Sequence, residues 1–278
     1  NAPGNRLTSM AYSGLTTTVT NPKDQTITTV KNSQGQVVQA TDAGGITRYQ
    51  YDPFGNLVQV TDVAGVIATM TYDIRGRKKT MNDPDMGNWT YNYDRLGQLT
   101  SQIDAKNQTI SMVYDKLGRM TSRTTPEGTS GWTYDTATKG IGKLVSVSNS
   151  SASESYTYDS LSRLSTANTS INGTTYTVTT TYDAFSRVDT VTYPETGFNL
   201  KYVYDTYGFL TQVRKDTATG ALYWQTTPNV TAVDAYNRVI NETYGNGLIS
   251  QHLYDPVTSD LGGIQTGTST NAASIQNL

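Results

Sequence analysis

The chain has 278 residues, of which only 35% are apolar and 16% charged, with a net charge of −2; that length allows one large domain or two ordinary ones. It holds 20 Tyr against 4 Phe, 24 Gly, one His and no Cys, which excludes a disulfide scaffold, a thiolate metal site, a cysteine nucleophile and a multi-histidine metal centre. The near-neutral charge argues against a face built to neutralise nucleic-acid phosphates, and no apolar run approaches the ~20 residues of a membrane-spanning helix.

In chain order, Gly4-Asn5-Arg6-Leu7 looks like the end of a repeat, with no signal-peptide layout and no initiator Met before it, so the chain reads as a piece of something longer. A weak unit follows, Lys31-Asn32-Ser33-Gln34-Gly35-Gln36-Val37. From residue 51 the dipeptide Tyr-Asp recurs at Tyr51-Asp52, Tyr72-Asp73, Tyr93-Asp94, Tyr114-Asp115, Tyr134-Asp135, Tyr158-Asp159, Tyr182-Asp183, Tyr204-Asp205 and Tyr254-Asp255. Val233-Asp234 occupies the same place with Tyr replaced. Four residues after the Tyr stands Gly55, Gly76, Gly97, Gly118 or Gly208, with Ser162, Ser186 and Asn237 as substitutes. A basic residue often comes next (Arg77, Arg119, Arg163, Arg187, Arg238), then an apolar one such as Leu57, Leu99, Met120, Leu164, Val188, Leu210 or Val239. The fifth unit stretches this turn to Gly142-Lys143-Leu144, and the last stretches it to Asp260-Leu261.

Each unit predicts a hairpin. Strict alternation before the turn, as in Trp89-Thr90-Tyr91-Asn92-Tyr93, is the period of a strand with its aromatic residues on one face. Tyr49, Met70, Tyr91, Met112, Trp132, Tyr156, Thr180, Tyr202, Thr231 and His252 share that face, two residues before the repeat Tyr. The Asp starts a turn by accepting from nearby backbone amides, and the Gly supplies positive φ before the chain returns. A second set of turns closes each unit: Asp42-Ala43-Gly44-Gly45, Asp62-Val63-Ala64-Gly65, Asp104-Ala105-Lys106-Asn107, Pro126-Glu127-Gly128 and Pro194-Glu195-Thr196-Gly197. The period is about half that of a propeller blade and lacks the leucine pattern of leucine-rich repeats. A parallel β-helix is the rival, but it needs stacked apolar ladders that this composition does not supply. The expectation is therefore all-β: one array over 1–278, about twelve units of ~21 residues, laid out as a continuous antiparallel ribbon.

The motif Tyr-Asp-x-x-Gly-Arg-Leu, carried closely by Tyr93 to Leu99, Tyr114 to Met120 and Tyr158 to Leu164, resembles the YD repeat of Rhs proteins, of the insecticidal toxin-complex B and C subunits and of teneurins. The resemblance runs from about Gly4 to Leu261. It implies a β-hairpin ribbon curling into a spiral, hollow shell segment, which in bacterial members encloses a C-terminal toxin and in teneurins belongs to an adhesion ectodomain. It also implies a secreted or bacterial cell-surface protein. Its partners would be flanking repeats and toxin or plug domains of the same polypeptide, another copy, or a delivery-machine protein. A thin wall explains the low apolar fraction, and Tyr suits it because the ring packs while the hydroxyl finds a polar partner.

No catalytic, cofactor-binding or metal residue is assigned. His252 lies in the aromatic stripe with no partner motif near it and reads as packing. The ten repeat Asp residues read as turn caps, and the Arg set as their partners. Asp52-Pro53-Phe54-Gly55 and Asp83-Pro84-Asp85-Met86-Gly87 look like the DPxG self-cleavage motif of Rhs-type shells, but both lie inside the array, so no protease is assigned. Asn-x-Ser/Thr triplets at Asn88, Asn107, Asn149, Asn168, Asn172, Asn229 and Asn241 are near chance in a chain this rich in Asn and Thr. The functional expectation is a structural wall segment and not an enzyme. One alternative is a surface adhesion or glycan-binding module using exposed Trp89 or Trp224. The other is a β-helix carbohydrate enzyme, which needs clustered carboxylates.

Overall fold

The computed structural model describes residues 7–194, 197–226, 233–234, 236, 238–268 and 271–277. Glu195, Thr196, Thr231, Asn237, the triplet at Asn229 and the half-unit Gly4-Asn5-Arg6 lie outside them. The described elements are strands and turns, in two compact units, 1–131 and 132–278.

The first unit holds β1 (Ser9–Ser13), β2 (Thr16–Thr20), β3 (Thr26–Lys31), β4 (Val37–Asp42), β5 (Gly45–Tyr51), β6 (Leu57–Thr61), β7 (Ile67–Tyr72), β8 (Lys78–Asp83), β9 (Gly87–Tyr93), β10 (Leu99–Ile103), β11 (Thr109–Tyr114), β12 (Met120–Thr125) and the start of β13 (Gly128–Tyr134). The second holds β14 (Leu144–Ser148), β15 (Ala152–Tyr158), β16 (Leu164–Ile171), β17 (Thr174–Tyr182), β18 (Val188–Thr192), β19 (Asn199–Tyr204), β20 (Leu210–Lys215), β21 (Leu222–Thr226), β22 (Asn241–Tyr244), β23 (Ile249–Tyr254), β24 (Leu261–Thr268) and β25 (Asn271–Asn277). Within each unit every strand pairs antiparallel with its neighbour in sequence, as Arg48↔Thr61 in β5–β6 and Thr181↔Thr190 in β17–β18 show. This is the hairpin-after-hairpin ribbon that the alternation predicts, and antiparallel pairing excludes a parallel β-helix.

Each unit is one layer thick. Among the described residues no strand touches any but its sequence neighbours, β23 and β25 apart. Among the described residues only Met70 and Met112 are buried apolar side chains, and no large side chain is fully buried. The alternation in β9 and β15 therefore separates half-buried from exposed positions; no filled core stands on either side.

The pairing carries an irregularity that the sequence period does not show. The register shifts next to the repeat Tyr, between Gln50 and Tyr51, Thr71 and Tyr72, Val113 and Tyr114, Thr157 and Tyr158, Thr181 and Tyr182, Val203 and Tyr204, and Leu253 and Tyr254. Tyr51 faces Leu57 while Gln50 faces Gln59, which leaves Val58 as the extra residue. A bulge of this kind raises the local twist, and these seven stand at the same end of their hairpins, while two further shifts, between Val213 and Arg214 and between Thr266 and Thr268, do not follow the repeat Tyr.

At the opposite rim the turns nest. Gly87 has φ +73, and a Cβ built on it would lie 2.4 Å from the Cβ of Ala105, in the next turn of that rim. Gly65 has φ +82 with open space around it. Gly65→Ala thus meets only the left-handed backbone penalty, about 1 kcal/mol. Gly87→Ala adds an overpacking cost of roughly 1–3 kcal/mol. Urea unfolding of the two variants is expected to place Gly87→Ala clearly below Gly65→Ala; equal midpoints would show that the turns do not nest.

Candidate functional site: the tyrosine–aspartate rim

The repeat Asp residues all stand at one end of the hairpins, and their side chains build the turns. One carboxylate oxygen accepts from the backbone amides two and four residues on. At Asp52 the donors are Phe54 and Asn56, at Asp73 Arg75 and Arg77, at Asp94 Leu96 and Gln98, and at Asp115 Leu117 and Arg119, all at 2.8–3.0 Å. The same pair of bonds forms at Asp159, Asp183, Asp205 and Asp234. The backbone closes the loop with Gly55 N–H donating to Asp52 O and Asp52 N–H to Asn56 O, repeated along the array. That is the hairpin loop ending in a left-handed residue. The residue in that place is Gly55, Gly76, Gly97, Gly118 or Gly208 at φ 74–95° and Ser162 or Ser186 at 61° and 64°, so serine carries the same strained backbone where it replaces glycine. In the stretched turns Asp135 still accepts from the Gly142 amide and Asp255 from those of Val257 and Thr258. Asp52-Pro53-Phe54-Gly55 is one of these turns, with Asp52 bonded like its counterparts.

The other carboxylate oxygen takes the basic residue. Arg77, Arg119, Arg163, Arg187 and Arg238 pair with Asp73, Asp115, Asp159, Asp183 and Asp234 at 2.5–2.7 Å, with side chains only 17–28% exposed. These are half-buried, geometrically fixed pairs. Where the basic residue is missing, Asn56 donates to Asp52 instead, and in the weak first unit Asn32 and Gln36 reproduce the arrangement without charge. The Arg77 and Arg119 backbone amides, opposed by burial and aided by the guanidinium groups, hold Asp73 and Asp115 below the usual carboxylate range. At Asp159 and Asp234 the guanidinium bond is the larger cause.

The same side chains join each repeat to the next. The Tyr hydroxyl donates to the carbonyl of the residue that opens the preceding return strand. Tyr51 reaches Val37, Tyr72 Leu57, Tyr114 Leu99, Tyr158 Leu144, Tyr182 Leu164 and Tyr204 Val188, at 2.5–2.9 Å. Burial pushes the phenols of Tyr72, Tyr158 and Tyr204 upward, which keeps them protonated as donors. Four of these Arg lie over the following repeat's ring: Arg77 over Tyr93 at 4.9 Å, Arg163 over Tyr182 at 4.3 Å, Arg187 over Tyr204 at 4.2 Å and Arg238 over Tyr254 at 3.9 Å. Its Nη1 reaches onward to Asp94 O from Arg77 and to Ser259 O from Arg238. The arginine stripe is thus a set of inter-repeat clamps.

His252 sits opposite Ile264 in β23–β24, with Nε2 3.9 Å from Glu242 and a buried Nδ1 that bonds no protein atom. Glu242 also accepts from Trp224 and Tyr244. Trp89 and Trp224, expected to be exposed, are half-buried; the Trp89 indole N–H bonds Met86 O and its ring stacks on Tyr91 at 6.4 Å. No group of three or more His, Cys, Asp or Glu among the described residues is placed to hold a metal. Clefts lie between consecutive turns of the rim, one of ≈ 420 Å³ between the Asp234 and Asp255 turns and one of ≈ 570 Å³ between those of Asp52 and Asp73.

Two predictions follow from this geometry. Tyr204→Phe keeps the ring under Arg187 and loses only the bond to Val188 O, a cost of about 0.5–1.5 kcal/mol, whereas Tyr204→Ala also loses the stacked guanidinium and costs roughly 2–4 kcal/mol; equilibrium unfolding that ranks the two equally would remove the Arg–Tyr clamp. Asp115→Asn keeps both amide bonds, as Asn32 does, and is expected to lower the urea midpoint less than Asp115→Ala. The Asp115 carboxyl is depressed in the fold, so its stabilisation is complete above its ordinary value of about 3.9 and disappears as pH falls through the lower native value. The gap between wild type and Asp115→Asn should therefore close as pH falls below the ordinary carboxylate range; a gap that persists into strong acid would show that the charge is not responsible.

Residues 2–213 match the family model described as Teneurin YD-shell. Among solved structures, the Tc holotoxin pore of Photorhabdus luminescens, with a mutated TccC3, superposes with a TM-score of 0.76 at 18% identity, over 98% of this chain and 16% of that one. The crystal structure of TcdB2-TccC3 matches equally, TM-score 0.76 and 18% identity, over 95% of this chain and 16% of that one. At this identity the likeness shows the fold, and the chain spans about a sixth of the length of those proteins. A comparison with curated protein sequences finds no match. With the family model covering more than half of the chain and the turn ladder repeating along it, the chain belongs to the YD-shell family.

Proposed function

We propose that this ribbon is a length of wall in a shell that encloses a toxin segment of the same polypeptide. The observation that carries the reading is the one-layer sheet without a core, each repeat clamped to the next. Such a sheet suits a container, because both of its faces accept solvent or cargo without losing a buried apolar layer. The similarity to the Tc holotoxin pore and to TcdB2-TccC3 supports it. On this reading the protein is secreted or displayed at a bacterial surface, its partners are flanking repeats, plug and toxin segments and a delivery protein, and it has no catalytic role. The motif carboxylates fit that role, since they are bonded into their turns.

The adhesion or glycan-binding reading draws less support, because the indole N–H groups of Trp89 and Trp224 are bonded within the sheet. The test is limited proteolysis of the full product of the reading frame that carries this array. A segment C-terminal to the array should resist trypsin in buffer and become cleavable at the urea concentration that unfolds the array. Equal cleavage under both conditions, or a reading frame with nothing beyond the array, overturns the proposal.

A further inference from the structure

The second unit contains a turn whose side chain the wall does not use. The chain holds two Asn-Gly pairs, Asn172-Gly173 and Asn246-Gly247. Glycine after asparagine lets the main-chain nitrogen reach the preceding carboxamide, because no Cβ stands in the path. Both pairs lie in exposed turns, so exposure does not separate them. Their hydrogen bonds do. At Asn246 both reacting groups are occupied: Oδ1 accepts from the Leu248 amide at 3.1 Å, and the Gly247 N–H donates to Tyr244 O at 2.9 Å.

Asn172 and Gly173 form the two-residue loop between β16 and β17, with Ile171 facing Thr174 and φ of +50° and +82°, the values of a primed hairpin turn. Among the described residues none bonds the Asn172 carboxamide or the Gly173 N–H. Apart from its chain neighbours, no atom lies within 4 Å of a Cβ built on Gly173. The hairpin also projects. β16 and β17 are 8 and 9 residues long against 5 for β18, and β18 pairs with β17 only from Thr179 onward. Thr174 to Val178 are therefore held by β16 alone, and a tip held from one side opens locally at less cost than one held from both.

We infer that Asn172 is a modification site, at which the folded ribbon deamidates spontaneously while Asn246 is protected. The Gly173 main-chain nitrogen, on losing its proton to hydroxide, attacks Asn172 Cγ. The N–Cγ bond forms, the Cγ–Nδ2 bond breaks, and ammonia leaves with a proton from water, giving a five-membered cyclic imide. Water then adds to one of the two imide carbonyls, and the ring opens to aspartate or to isoaspartate, whose main chain runs through Cβ and Cγ. Conversion adds a carboxylate and, in the isoaspartate form, a main-chain methylene to the loop that sets the register of this hairpin. The clamp of the same strand lies at its other end, where the Tyr182 hydroxyl donates to Leu164 O. The inference rests on the two turns and stands whether or not the ribbon encloses a cargo.

The experiment is incubation of the full 278-residue chain at mildly alkaline pH, with time points digested by trypsin and the peptides sequenced by mass spectrometry. Cleavage after Arg163 and after Arg238 puts the two Asn-Gly pairs on separate peptides. Asn172 should exchange NH2 for OH roughly tenfold or more faster than Asn246, since two hydrogen bonds must break before Asn246 reacts. In concentrated urea, where both turns are lost, the two rates should converge. Asn172→Gln, which would have to close a six-membered imide, should leave its peptide unmodified. Four results overturn the proposal: Asn246 converting as fast as Asn172 in the folded chain; Asn172 intact in the folded chain yet converting in urea, which would show that the turn protects it; a ratio that persists in urea, which would assign the difference to the flanking residues; or conversion that survives Asn172→Gln, which would place it at Asn168 on the same peptide.

Discussion

A sheet one layer thick has no second layer to pack against, so whatever holds it must act between neighbouring repeats. Here the means is the repeat Tyr. Its ring leans on the preceding repeat and its hydroxyl satisfies the carbonyl at the start of that repeat's return strand, next to the point where the bulge has shifted the ladder. A carbonyl beside a bulge is the backbone group most exposed to being left without its partner, and phenol is the side chain that reaches it while also filling apolar space. The Asp and Arg then complete a closed circuit: Asp fixes the turn, Arg ties the turn to the Asp, and the guanidinium plane covers the next Tyr. Such a chain of nearest-neighbour bonds makes stability a sum over repeats and their interfaces.

The sequence shows those parts of this circuit that depend on side-chain identity at a fixed place. Asp at a constant distance before Gly identifies the turn, alternation identifies the strand, and the recurring Arg points to the carboxylate it pairs with. Other features depend on the backbone and leave no letter. The extra residue at Val58 looks like any other strand residue, because a bulge changes the pairing and not the period. The acceptor of the Tyr204 hydroxyl is the Val188 carbonyl, and every residue has a carbonyl. The tips were hidden for another reason: a Leu or Phe between Asp and Gly looks like a residue destined for a core, and only the one-layer architecture leaves Leu117 or Phe185 in solvent. Trp89 and Trp224 misled in the opposite sense, since each indole finds a local acceptor and lies down on the sheet.

The weak first unit separates what the turn needs from what the motif usually supplies. Asn32 and Gln36 make the amide bonds of the turn with no charge present, and Gln36 reaches across to Gly55 O as Arg77 reaches Asp94 O. The neutral version keeps every hydrogen bond of the charged one and lacks only the guanidinium face that would cover a ring. Charge is therefore secondary to geometry in the turn and primary in the contact between repeats, where Arg, unlike Gln, offers a plane to stack on.

The fifth unit shows how far that division reaches. Its turn is longer than the others by four residues, yet Asp135 still caps an amide, that of Gly142, and Tyr158 still finds Leu144 at the start of the return strand. The extra residues lie beyond both contacts, at the rim, where a longer loop costs little closure entropy and disturbs no neighbour. In a ribbon held this way the tips are free to vary as long as Asp and Tyr keep their places. Variation at the tips is then the means by which otherwise equivalent repeats acquire different surfaces, basic at Arg75 and aromatic at Phe54 or Phe185, without any change to the wall that carries them.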